Sequence, residues 1–142
     1  MGYMTDGLTF NTLRSANLKR VTQFRDAKGN LSHPKEGGGL HSWTPADWMN
    51  AVVGELGELA NLLKKVKRGD FTLGEKRQEI TDEFADVQTY LDLLAASVGV
   101  NLGQATIDKF NRVSKRVDSP VLIREDGSDW KYDPSFDGPF ED

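Results

Sequence analysis

TPADWMNAVVGELGELANLLKKVKRG, residues 44–69, reads as one long helix with both ends marked. Thr44 offers an N-cap hydroxyl, Pro45 suits the first helical position, and Asp47 brings an acid to the free amides of the first turn. Lys65, Lys67 and Arg68 fall in the last turns, where the helix dipole favours cations, and Gly69 supplies the stop. Between these ends Trp48, Val52, Leu56, Leu59, Leu63 and Val66 recur at spacings of three and four, the apolar stripe of a helix packed along one side.

On the C-terminal side, Thr72 with Glu75 forms a capping box ahead of the stripe Ile80, Phe84, Val87, Leu91, Leu94 and Val98, which runs to Gly99. The short link predicts that this helix lies antiparallel to the one before it. Asn101 with Gln104 repeats the capping pattern and opens a fourth helix, with the stripe Thr106, Phe110, Val113 and Val117 and a stop at Pro120. On the N-terminal side, Phe10, Leu13, Val21 and Phe24 predict a first helix from about Thr9 to Arg25. From Asp26 to Ser42 the chain gathers Gly29, Pro34, Gly37, Gly38 and Gly39, which predicts a mobile loop. After Pro120, Val121, Leu122 and Ile123, then Asp126-Gly127, then Trp130 and Tyr132 have the composition of a small hairpin or wrapped tail. The expected fold is all-α: an antiparallel bundle of about four main helices over residues 1–120, with a short extended tail over residues 121–142.

Composition narrows the chemistry. A chain of 142 residues, 37% hydrophobic and 28% charged, is sized for one domain of the ordinary globular kind. The absence of cysteine removes disulfides, thiolate metal sites and cysteine nucleophiles, and fits a reducing cytoplasm. No apolar run is long enough for a signal peptide or a membrane span. With a net charge of −4, nonspecific attraction to a nucleic acid polymer is weak, so a phosphate-bearing ligand has to be held by local cations or by metal. There is no glycine-rich strand-to-helix loop of the dinucleotide or P-loop kind.

Carboxylates carry the remaining signal. Glu55 and Glu58 form an ExxE on the second helix, and Glu83 and Asp86 form an ExxD on the third. Residues three apart share a helical face, with Cβ atoms about 5–6 Å apart, so each pair is half of a site for a hard cation. Each of the four immediately precedes a residue of its apolar stripe, and on antiparallel helices that common offset predicts one four-carboxylate groove beside the interface. Gathered carboxylates repel one another and lose hydration, which a divalent ion relieves. All-oxygen ligation suits Mg²⁺ or Mn²⁺ and argues against zinc and against di-iron bundles. The alternative for such residues is a solvated acidic surface paired with lysine and arginine, as on a non-catalytic helical interaction protein.

Glu55-Leu56-Gly57-Glu58 and Glu83-Phe84-Ala85-Asp86, with Gly54, Leu59, Lys64-Lys65, Arg68-Gly69-Asp70 and Val87-Gln88-Thr89-Tyr90-Leu91 around them, resemble the MazG-like family of all-α nucleoside triphosphate pyrophosphohydrolases. That family includes relatives of the dimeric dUTPases and dCTP pyrophosphatases. The resemblance covers approximately Thr44 to Arg116, the region before it looks like that of phage-borne members, and the tail after Pro120 matches no family feature. The resemblance implies that Glu55, Glu58, Glu83 and Asp86 bind Mg²⁺ and act in cleavage between the α- and β-phosphates, releasing a monophosphate and pyrophosphate. Glu58 is a candidate general base in place of a ligand. It also implies a homodimer or homotetramer in the cytoplasm, acting on a dCTP-like or a purine, dGTP-like, substrate.

The supporting residues are fewer. Lys109, Arg112 and Arg116 share one flank of the fourth helix and could hold a triphosphate, although cations there also simply complement the dipole. The resemblance makes Lys109 and Asn111 the preferred phosphate or sugar contacts, with Lys65 a weaker candidate. Tyr90, one turn beyond Asp86, could pack near ribose or phosphate. Trp43 and Trp48 flank the start of the metal-bearing helix, where an indole could stack on a base, although Trp48 belongs to the apolar stripe and packing is the favoured role for it; Trp43 and His41 adjoin a loop that could close over substrate.

Overall fold

The computed structural model describes residues 7–124, which form four α-helices joined by turns and short 3₁₀ segments, with no β-strand among them. The helices are α1 (Phe10–Arg20), α2 (Pro45–Arg68), α3 (Arg77–Ser97) and α4 (Leu102–Arg116). The all-α expectation holds.

The ends of α2 form as their residues dictate. Asp47 N–H donates to Thr44 Oγ1 at 3.2 Å while the Asp47 carboxylate accepts the Thr44 N–H at 2.8 Å, a complete capping box. Gly69 takes φ +88°, which lets its N–H turn back onto the carbonyls of Lys65 and Val66. The reciprocal Thr72 and Glu75 bonds also form, at 2.7 and 3.1 Å, but one turn ahead of the first regular residue of α3. At α4 only half of the expected box forms. Asn101 Oδ1 accepts the Gln104 N–H at 3.0 Å, and the Gln104 amide reaches forward to Asp108.

α1 is shorter than its apolar spacing suggested, passing into a 3₁₀ turn at Val21–Gln23 and into extended backbone at Phe24. The segment expected as a loop is folded. The Asp26 carboxylate accepts N–H bonds from Lys28 and Asn30 at 2.9 and 3.0 Å, Arg25 bridges to Leu31, and 3₁₀ turns follow at Lys35–Gly37 and Gly39–Ser42. His33 lies at its centre, 2% exposed, stacked on Trp48 with ring centroids 4.9 Å apart and with Nδ1 2.7 Å from Ser42 Oγ. Burial holds the imidazole pKa below its usual value, so the ring packs as a neutral aromatic.

The core gathers where α1, α2, α3 and these turns meet: Val21, Leu40, Trp48 and Leu93 are buried, with Phe24, Trp43, Tyr90 and Leu94 packed against them. Trp48 donates its indole N–H to the Leu40 carbonyl at 2.9 Å, which satisfies a polar atom the core would otherwise strand. α2 and α3 lie along one another, while α1 packs on α3 and α4 chiefly on α1. α1 is tied to α3 by Asp92, which is 1% exposed and accepts from Arg14 Nε and from Asn17 Nδ2, each at 3.0 Å.

On α4 the expected stripe is rotated outward. Phe110 and Val117 are exposed, and the sheltered line runs through Ile107, Asn111 and Ser114. The Asn111 carboxamide donates to the Ile123 carbonyl and accepts the Ile123 N–H, both at 2.8 Å, so it holds residues 121–124 against α4. Residues 121–124 have no regular structure, and the expected turn at Asp126-Gly127, with Trp130 and Tyr132, lies outside the described residues. Asn111→Ala is expected to cost about 2 kcal/mol in urea unfolding, since two bonds at about 1 kcal/mol each are lost. Amide exchange at Ile123 should quicken while α2 and α3 exchange as before.

Candidate metal centre

The line of α2 that packs inward is Trp48, Val52, Glu55, Leu59, Leu62 and Val66, in steps of four and three. The sheltered line of α3 begins Ile80, Glu83, Val87 and Tyr90. Leu56, Leu63 and Phe84, all counted in the expected stripes, are 44%, 40% and 58% exposed and belong to neighbouring lines turned toward solvent. One residue turns a helix by about 100°, so two adjacent apolar lines satisfy the same spacing rule, and the sequence pattern merged them. Glu55 and Glu83 therefore do not flank the packed face. They occupy it.

Across this interface Glu55, Glu58 and Glu83 bring carboxylate oxygens within 4.8 Å of one another. Glu55 and Glu83 are half-buried and Glu58 is exposed, so the cluster opens to solvent on one side. Glu83 Oε2 is buried and has no hydrogen-bond partner. Burial first, then hydrogen bonding with Glu55 and the negative charges of Glu58 and Glu55, raises the Glu83 pKa from 4.5 to about 7. Glu55 is raised in the same direction, again mainly by burial, with added repulsion from Asp86 and Glu58 against a hydrogen bond to Glu83 that lowers it. The donor set is all oxygen, crowded and short of protons or cations, which fits a hard divalent ion such as Mg²⁺ or Mn²⁺.

Asp86 departs from the expected groove. It is exposed and stands outside the close group of three, although its charge acts on Glu55 and on Tyr90. Tyr90 is brought to the site: its hydroxyl pKa is raised by burial and then by Glu55 and Asp86, and its ring lies 6.3 Å from Trp48. Trp43 is half-buried, 4.7 Å from Trp48 and edge-on to His33 at 4.6 Å. An aromatic wall thus runs from Trp43 through Trp48 to Tyr90, ending at the carboxylates. His41 is exposed on the last 3₁₀ turn before α2.

Among the described residues Lys65, Lys109 and Arg112 form no ion pair with these carboxylates. Lys109 and Arg112 are exposed on α4, a helix that packs chiefly on α1 and whose Gly103 sits against Phe10. Asn111 is committed to Ile123, and the charge of Lys65 is felt by Asp70 beyond the end of α2. The charge that does act beside the centre is Arg20, which opposes Glu55 and Asp86 at the Tyr90 hydroxyl. The sequence reading gave Arg20 no part in the site, because its place depends on how α1 docks onto α3. Periodicity could not find the buried His33 either, since it lies in an irregular segment.

No family model matches the chain. It is similar to the Gene 37 protein of Mycobacterium phage L5, at 36% identity over 74 residues. The match takes in 50% of this chain and 64% of that phage protein, so the chain spans less than two thirds of its relative. Among the described residues no helix is long and apolar enough to cross a membrane.

Proposed function

We propose that this protein is a magnesium-dependent nucleoside triphosphate pyrophosphohydrolase, converting a (deoxy)nucleoside triphosphate and water to the monophosphate and pyrophosphate. The observation that carries the reading is the Glu55, Glu58 and Glu83 cluster with its buried, unpartnered Oε2 atom. Packing one carboxylate into a helix interface without a partner is costly, and a ligand that removes the cost on binding accounts for its position. Glu55, Glu58 and Glu83 would hold Mg²⁺, or Mn²⁺ in its place, with Asp86 at the edge. When bound, the ion supplies charge neutralisation for the phosphates and acidifies water. Glu58, the exposed member, is suited to accept the proton of the attacking water. Tyr90 and Trp43, both half-buried and packed against the buried Trp48, offer apolar surface for the nucleoside, dCTP-like or dGTP-like. His41 lies one residue before Ser42, the hydroxyl partner of the buried His33.

The decisive experiment is a panel of NTPs and dNTPs incubated with the protein and Mg²⁺, with products separated by chromatography. Monophosphate plus pyrophosphate is expected from at least one, with loss of turnover in Glu55→Ala. Diphosphate plus phosphate, or no product from any nucleotide, overturns the reading.

The same reading includes self-association as a homodimer or homotetramer. Met49, Val53, Leu56 and Leu63 form a second, exposed line along α2, and Phe84 of α3 is exposed too. A contiguous apolar line of this kind is unfavourable in water unless another surface covers it. The double variant Val53→Lys with Leu56→Lys is expected to reduce the mass in light scattering to that of one chain. A wild-type protein that already runs as a monomer at high concentration would rule out this part.

A further inference from the structure

We infer that Arg20 is the residue that takes the phosphate groups of the bound nucleotide beside the carboxylate centre, an assignment that rests on the hydrolase reading and adds to it the missing cation. The register of α1 on α3 places it. Arg14 bonds Asp92, and Asn17 bonds the Thr89 carbonyl at 3.3 Å, so each turn forward on α1 meets the turn before on α3. One more turn brings the Arg20–Val21 end of α1 to the level of Asp86 on α3, with Val21 buried in the core and Arg20 exposed beside it. Arg20 nonetheless forms no ion pair with any carboxylate among the described residues. Its guanidinium lies over the Phe24 ring, 5.5 Å from the centroid, and the residue is exposed. A cation–π contact uses no N–H of the fork on an anion, and a planar guanidinium is suited to bind phosphate oxygens in pairs.

Charge makes the same demand. A polyphosphate approaching Glu55, Glu58 and Asp86 meets like charge, and a cation on the open side lowers the repulsion that remains after a divalent ion is bound. The field of Arg20 already reaches Tyr90 on this part of α3.

The test is calorimetric binding of inorganic pyrophosphate with Mg²⁺, alongside steady-state hydrolysis of the best nucleotide and binding of Mn²⁺ alone. In Arg20→Gln, pyrophosphate affinity should fall about 10-fold and KM rise about 10-fold, the effect of one charge-assisted contact. kcat should change less, Mn²⁺ affinity should hold or tighten, and Arg20→Lys should recover part of the loss. Unchanged pyrophosphate binding in Arg20→Gln overturns the assignment, as does an equal loss of Mn²⁺ affinity. A wild-type protein that binds pyrophosphate through Arg20 but hydrolyses no nucleotide sinks the hydrolase reading and leaves the anion site standing. A wild-type protein that binds no pyrophosphate overturns the anion site itself.

Discussion

Glu83→Gln is expected to melt at a higher temperature than the wild type in metal-free buffer at pH 8, to match it near pH 5, and to lose its response to Mg²⁺. The folded protein holds the Glu83 proton up to about pH 7, above the ordinary value of 4.5. Stability from that proton is complete below about pH 4.5 and is lost as pH rises through 7, because over this range the native state binds more protons than the unfolded state. Glu55 shifts in the same direction and adds to the trend. The metal-free wild type should therefore weaken from pH 5 to pH 8, and a divalent ion, which replaces the proton, should bind more tightly as pH rises and restore the midpoint. Glutamine keeps the shape and removes the charge, so it removes the Glu83 share of the pH dependence, leaving that of Glu55, and with it the response to Mg²⁺. Pyrophosphate release should fall by more than about 100-fold, since even residues that only orient metal ligands cost about 10- to 100-fold. Thermal unfolding in chelator across the pH range, with and without Mg²⁺, is the measurement. A Glu83→Gln effect that is the same at pH 5 and pH 8 would contradict the account of the centre.

Arg14→Ala should be the most damaging change away from the carboxylates. It would leave Asp92, 1% exposed, with only the Asn17 amide, and would free the Val100 carbonyl that Arg14 Nη2 meets at 2.9 Å. Removing one partner of a buried ion pair costs about 3–5 kcal/mol, because the remaining charge is stranded away from water. For a chain of this size that corresponds to a drop on the order of 10 °C in the unfolding midpoint. Asp92→Asn keeps the shape and removes the stranded charge, so its loss should be smaller. Chemical denaturation of both variants decides the matter. A loss below about 0.5 kcal/mol in Arg14→Ala would show that the network does not hold α1 to α3. Because Arg20 lies one turn beyond Asn17 on α1, a loosened α1 should also weaken pyrophosphate binding.

The sequence reading and the structure agree where signals are local. Thr44, Asp47 and Gly69 act on amides and carbonyls within a turn of themselves, so the ends of α2 were legible from the residues alone. The pairing of α2 with α3 followed from a short link. Rotation of each helix about its own axis was not legible. Leu56, Phe84, Phe110 and Val117 obey the helical spacing as well as the residues that are buried, and only distant partners decide which line turns inward. That error moved Glu55 and Glu83 to the edge of an interface they in fact occupy. The folded segment around His33 escaped notice for a related reason. Its glycines permit φ values of +102° at Gly38 and +52° at Gly39, but permission does not say whether the turns pack on anything.

Taken alone, the residues determined that the chain is helical, where α2 begins and ends, and that two acidic pairs sit on antiparallel neighbours. Those features depend on bonds reaching no further than a few residues. Tertiary structure decided that Glu83 is half-buried beside Glu55 with one oxygen shut in, that Asp86 stands outside the close group, that Asn111 holds Ile123, and that the charge of Arg20 reaches Tyr90. Each of these depends on the docking of one helix onto another, set by the summed packing of residues far apart in sequence, and no periodicity within a single helix encodes it.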